Sequence, residues 1–295
     1  MMYAVCFLLI SLIWGSSFIF MDRASLAFGP ITIGALGTVG GGVVTGLVWM
    51  ARRLACPSLR GRLLLLLLIV IPGYAWPFVL QPYLVKGIGH GYISVFISLV
   101  PLFTILVSIP YFRETPSRVQ LFGVLVGLGF LVVYLWEGLD RSAPLPLLLL
   151  ATTVPFGYAV SNCTIKRWFL DVPSVPLACL CMFTCAAMLT PLALTLESVN
   201  RNADMTAAVG AMSLLALLGR GLGVILLYIL IFRRGPLFAS MTAYMIPVVA
   251  LTWGLLDGEL ITGRQLLAVA GVLLMVAAVQ GDIERRARAD EKGAN

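Results

Sequence analysis

The chain of 295 residues is divided into apolar runs about twenty residues long, and the breaks between them are short and basic. Ten such runs lie at 2–22, 30–51, 62–85, 89–112, 117–137, 144–165, 173–196, 206–232, 236–257 and 262–281. About twenty apolar residues in a helix rising ~1.5 Å per residue cross the ~30 Å hydrocarbon core of a bilayer. Lipid offers no hydrogen bonds, so each crossing segment must satisfy its own backbone, which a helix does. The expected fold class is therefore an all-α integral membrane protein with ten transmembrane helices. Hydrophobic residues make up 60% of the chain and charged ones 11%, against about 25% charged in a soluble domain, and no connecting stretch is long enough to fold as a separate soluble domain.

The formal charge of +7 does not imply nucleic acid, because the cations sit in small clusters between the runs rather than on one face. An even number of spans puts both termini on one side. The loops and termini of that side carry fourteen of the twenty Lys and Arg, among them Arg52, Arg53, Arg60, Arg62, Arg113, Arg118, Lys166, Arg167, Arg233 and Arg234. The opposite loops carry Arg23, Lys86, Arg141, Arg201 and Arg264, and Arg220 lies within a run. The positive-inside rule then places both termini in the cytoplasm. The first run has neither a basic leader nor a small-residue cleavage site, and is expected to stay in the protein as a span. The six cysteines fall mostly inside apolar runs and form no CxxC pair. They read as small apolar filler, with neither disulfides nor a metal site expected.

The chain repeats itself. Pro101, Glu114, Gln120 and Gly123 in the first half answer to Pro247, Glu259, Gln265 and Ala268 in the second. "GHGYISVFISLVP" (89–101) aligns with "GPLFASMTAYMIP" (235–247), and more faintly "IWGSSF" (13–18) with "PFGYAV" (155–160). The expected units are two five-helix repeats, 1–141 and 142–283, followed by a charged cytoplasmic tail, 284–295. Five is odd, so the second unit enters the membrane inverted. Inverted repeats are a transporter architecture, two similar halves rocking about a central site.

"WGSSF" in the first run, "VPLFTILVSIPYFRE" (100–114) followed by "QLFGVLVGLG" (120–129), and "YMIPVVALTWGLLDGE" (244–259) followed by "QLLAVAGVLL" (265–274) together resemble the drug/metabolite transporter superfamily, in chains built of two EamA-type domains. The resemblance spans nearly the whole chain. It implies a ten-helix carrier of the bacterial cytoplasmic membrane, similar to exporters of amino acids and other small metabolites. It also implies a cavity lined mainly by the first, third, fourth, sixth, eighth and ninth helices. Many such carriers have an Arg in the second span, where this chain reads "IGALGTVGGG" (33–42), so a relative's substrate does not carry over.

Polar and aromatic residues at mid-run are the candidate cavity residues. Trp14, Ser16 and Ser17 interrupt the first run; they serve either helix packing, since a Ser hydroxyl can bond back to its own helix, or a cavity wall. Arg220 stands near the centre of the eighth run, where a charge costs at least ~2.5–3.5 kcal/mol. It is either a structural cation or one that faces a cavity and holds a carboxylate. The repeat alignment sets Tyr74 opposite Arg220, in "IPGYAWPF" (71–78), where Pro72 and Pro77 are expected to break the helix and Tyr74 and Trp76 to supply aromatic surface. His90, the only histidine, begins a stripe with Ser94 and Ser98. Tyr158 and Asn162 on the sixth run, and Ser240 and Tyr244 on the ninth, form similar stripes.

No Asp or Glu occupies the middle of a run: Asp22, Glu114, Glu137, Glu197, Asp257 and Glu259 lie near ends. That argues against proton exchange for cationic drugs, which needs a buried carboxylate. It leaves facilitated transport, or weak coupling through His90, the one side chain whose ordinary pKa lies near neutrality. No nucleotide-binding loop is present. The expected protein is a monomeric carrier, not an enzyme, without cofactor. It exports small zwitterionic or anionic metabolites, above all amino acids with apolar or aromatic side chains, by alternating access. The alternative is a carrier of nucleosides, sugars or drugs in which Arg220 is structural. A membrane enzyme acting on lipid-linked substrates would need a His or Asp cluster at the membrane surface, which the sequence lacks.

Overall fold

In the computed structural model the described residues are 2–88, 90–113, 117–136 and 145–256, with isolated positions between 263 and 285. Most of the tenth expected span, the tail, and the glutamates Glu114 and Glu259 of the repeat motif lie outside them. The helices are α1 (Met2–Ala24), α2 (Pro30–Ala51), α3 (Leu63–Val70), α4 (Trp76–Ile88), α5 (His90–Ile97), α6 (Val100–Phe112), α7 (Arg118–Trp136), α8 (Leu145–Trp168), α9 (Ser174–Leu196), α10 (Met205–Leu214), α11 (Gly223–Arg234), α12 (Pro236–Ser240) and α13 (Thr242–Leu256). Among the described residues there is no strand. Five continuous helical stretches, Met2–Ala24, Pro30–Ala51, Leu63–Gly87, Ser174–Leu196 and Met205–Arg234, are long and apolar enough to cross a membrane. Large apolar side chains cover the outer surface, including Leu12, Leu47, Leu64, Phe122 and Leu194. That much exposed hydrocarbon suits acyl chains and not water.

Hydroxyls inside the helices are satisfied locally. Ser11, Ser17, Thr38, Thr45, Thr104 and Thr164 each donate to the carbonyl four residues back, which removes the penalty of an unpaired polar group in lipid.

The third and eighth runs are not broken at their Pro and Gly residues, as the sequence suggests for Pro72 and Pro77, but widened. Ile71–Ala75 and Leu215–Leu222 are π-turns that join α3 to α4 and α10 to α11. The Trp76 N–H reaches the Ile71 carbonyl, and the Gly223 N–H reaches that of Leu218, five residues back in each case. Proline has no N–H to give, and the longer loop lets the helix pass it without losing its direction. The fourth and ninth runs are each split, between α5 and α6 and between α12 and α13.

The helices interlock in a crossed pattern. The largest contact is between α2 and α9; α1 packs on α13 and on the second π-turn, and α8 packs on α6 and on the first π-turn. Glycines permit the close crossings. A side chain at Gly41 would collide with the Arg220 backbone, and one at Gly157 with the Pro72 backbone. At one end, the Arg62 guanidinium pairs with Asp171 at 2.7 Å, linking the start of α3 to the α8–α9 connection. The hydrogen bond from Arg62 holds the Asp171 carboxyl below its ordinary value. At the other end, the Ile31 and Thr32 N–H groups donate to Glu197 at 3.0 and 2.7 Å. That carboxylate satisfies the exposed donors of the α2 N-terminus.

Gly157→Ala should therefore lower the thermal unfolding midpoint of detergent-purified protein, by about 1–3 kcal/mol of overpacking. Gly210→Ala, on α10 with open space around it, should leave the midpoint unchanged or raise it slightly.

Candidate functional site

The two π-turns face each other across a buried cavity of about 60 Å3, room for about four to six waters. Its walls come from α1 (Trp14, Ser17, Phe18), the first π-turn and α4 (Tyr74, Phe78, Gln81), α8 (Tyr158, Ser161, Asn162), the second π-turn (Gly219, Arg220) and the α12–α13 region (Ser240, Thr242, Ala243). No carboxylate is among these lining residues.

Arg220 dominates the site. It is 6% exposed, and its guanidinium carbon sits 3.2 Å from the centre of the Phe78 ring. A desolvated cation on an aromatic face gains about 2 kcal/mol or more. The Tyr158 hydroxyl lies beside it, and Gln81 Nε2 donates to that hydroxyl at 2.9 Å. Gly37 and Gly41 of α2 pack against the arginine stem and backbone. Two of its nitrogens, Nε and Nη2, are buried without a hydrogen-bond partner among the described residues. These two share one edge of the planar guanidinium, the edge that meets both oxygens of a carboxylate in parallel hydrogen bonds.

Trp14 secures the turn that carries this arginine. Because the Gly223 N–H bonds to Leu218, the Gly219 carbonyl is open to a side chain, and the Trp14 indole donates to it at 3.1 Å. Gly223 leaves space for the indole: a Cβ there would lie 2.7 Å from Nε1. The neighbouring residues of the first run divide their duties. Gly15 lets α13 approach, Ser16 accepts from the Trp253 indole at 2.8 Å, and Ser17 lies on the cavity wall. The Trp-Gly-Ser-Ser stretch thus serves both helix packing and the cavity.

Of the residues singled out in the sequence, Trp14, Ser17, Tyr74, Tyr158, Asn162, Arg220 and Ser240 line the cavity. Tyr74 presents only its ring, since its hydroxyl donates to Tyr228 at 2.8 Å and Tyr228 donates to Cys181 at 3.3 Å. Trp76 does not line it: one residue beyond the π-turn it points outward, 44% exposed, and donates to Thr153 at 2.7 Å. Tyr244 is fully buried behind the wall and donates to the Val124 carbonyl at 3.3 Å. Ser94 is buried on α5 away from the lining. The His90 side chain lies outside the described residues. Phe78 and Gln81 were not anticipated. Gln81 carried a usable signal, as the one amide within an otherwise apolar third run, whereas Phe78 is one of many aromatics and gave none.

This is a multi-pass membrane protein with a mainly apolar pocket, holding one buried arginine, between two widened helices. The model described as the EamA-like transporter family matches residues 1–136. Residues 1–136 therefore form an EamA-type domain, a domain of the drug/metabolite transporter superfamily. A chain of known crystal structure is similar over 94% of this chain and 96% of its own, with TM-score 0.78 and 19% identity, so the two share a fold. No curated protein matches the sequence.

Replacing Trp14 with Phe keeps the ring and strands the Gly219 carbonyl, a loss of about 1–3 kcal/mol. The variant should unfold at lower temperature than wild type. Trp76→Phe, whose indole bonds at the lipid-exposed surface, should shift the midpoint by less.

Proposed function

We propose that the protein is a ten-helix carrier of the bacterial cytoplasmic membrane with both termini in the cytoplasm. As a monomer, it exports small zwitterionic or anionic metabolites by alternating access between two inverted five-helix units, 1–141 and 142–283. The sequence directs attention to amino acids with apolar or aromatic side chains. The single observation that carries the reading is the buried Arg220, a lining residue of the cavity whose Nε and Nη2 have no hydrogen-bond partner among the described residues. A structural arginine would spend those donors on carbonyls or a fixed acid; an arginine that waits for a substrate leaves them free. The apolar walls from Trp14, Phe18 and Phe78 suit the remainder of the molecule.

The crossed contacts support the two-unit reading. The contact of α1 with α13 has its counterpart in that of α8 with α6, and the contacts of α1 and α8 with the opposite π-turns answer each other. The π-turns also carry the pair, Tyr74 and Arg220, that the repeat alignment sets opposite each other. Interrupted helices at corresponding positions of two halves are the usual place for a carrier's substrate. In the second reading, a carrier of nucleosides, sugars or drugs, Arg220 is structural; the tight packing of Gly37 and Gly41 against it favours that role.

Arg220→Gln separates the two. Loss of a charge-assisted pair is worth about 1.5–3 kcal/mol, so uptake of carboxylate substrates into proteoliposomes should weaken about 10- to 100-fold while the protein still elutes as a folded species. Unchanged carboxylate transport by the folded variant would favour the second reading.

A further inference from the structure

The charge inventory of the cavity narrows the substrate class, on the reading that Arg220 receives a carboxylate. The site holds one buried cation, and the groups around it are neutral: the hydroxyls of Ser17, Tyr158, Ser161, Ser240 and Thr242 and the amides of Gln81 and Asn162. A carboxylate paired with Arg220 brings this pocket to zero net charge. An amino acid brings an ammonium as well, which would enter a desolvated space beside a guanidinium with no acid among the lining residues to receive it. Among the described lining residues Arg220 is the only charged group, so the site offers a full countercharge to the anionic end alone.

We infer that the preferred substrates are net monoanions, carboxylates without an ammonium such as 2-oxo or 2-hydroxy acids with an aliphatic or aromatic tail, and that the membrane potential drives their export. A zwitterion moves no net charge across the membrane and gains nothing from the potential. A monoanion moves one, and the inside-negative potential of a cytoplasmic membrane pushes it outward. For an anion carried alone, 100 mV sustains about a fifty-fold concentration ratio, the equivalent of ~2.3 kcal/mol per elementary charge. Export of this kind requires no coupling ion, in keeping with a cavity whose described lining residues include no carboxylate to exchange protons.

The test uses the full chain in proteoliposomes, with a potassium gradient and valinomycin setting the interior either positive or at zero potential. The probes are radiolabelled leucine and its 2-oxo analogue, 4-methyl-2-oxopentanoate, which share a carbon skeleton and a carboxylate and differ at the ammonium. The oxo acid should enter saturably, accumulate at least ten-fold more with the interior positive, and be carried in preference to leucine. Arg220→Gln should weaken this uptake about 10- to 100-fold, and Arg220→Lys, which keeps the charge without the fork, should retain a reduced, potential-sensitive rate. Leucine carried in preference to the oxo acid, or oxo-acid uptake indifferent to the potential, would overturn the inference and leave the carboxylate carrier standing. If neither probe enters while a neutral nucleoside does, both the inference and the role of Arg220 in the proposed function fall.

Discussion

Within a bilayer there is no water to take up a backbone N–H or C=O, and each one left unpaired costs several kcal/mol. This constraint makes the chain helical and turns its serines and threonines back onto their own helices. It also limits where a helix can be irregular. The two π-turns release carbonyls from the regular ladder, and both lie where protein covers them. The Gly219 carbonyl takes the Trp14 indole, and the Pro72 carbonyl lies close against Gly157. The irregular backbone, and with it the pocket that holds Arg220, sits where two helices from elsewhere in the chain can close over it.

Arg220 is the expensive group in this arrangement. Its stem is wedged between Gly37 and Gly41 of α2, its charge lies on the Phe78 face, and the Tyr158 hydroxyl stands beside it. These contacts stabilise a guanidinium without saturating its donors. A carboxylate partner supplied by the protein would have lowered the burial cost and closed the site to an outside anion. Nε and Nη2 are left without a partner among the described residues, which costs stability.

The glycines explain how so many helices meet around one small cavity. At Gly15, Gly41, Gly73 and Gly157 a side chain would run into a neighbouring helix, so close approach is built into the sequence at the crossing points. The polar links at the two ends, Arg62 with Asp171 and Glu197 with the start of α2, tie connections near the ends of α2 and α9. The middle of that packed pair therefore lies beside the second π-turn with both of its ends held.

Hydropathy by itself determined much of this protein. Apolar run length and the need for internal backbone pairing give the helices, and the observed bounds of α1, α2 and α9 fall within two residues of the runs at 2–22, 30–51 and 173–196. Arg220 and Trp14 stood out because a charge or an indole amid hydrocarbon has few reasons to be there. What needed the tertiary structure was direction. Trp76 and Tyr74, two residues apart, lie about 200° apart around one helix, and only the packing of its neighbours decides that Tyr74 faces the cavity and Trp76 the outside. Tyr244 and Ser240 share a stripe in the sequence, but the split between α12 and α13 puts only Ser240 on the wall. Phe78 and Gln81 acquire meaning only from what lies across the pocket, Arg220 and Tyr158, each far away along the chain. A sequence pattern records how residues are spaced along one helix, whereas a site between helices is decided by their phase and crossing.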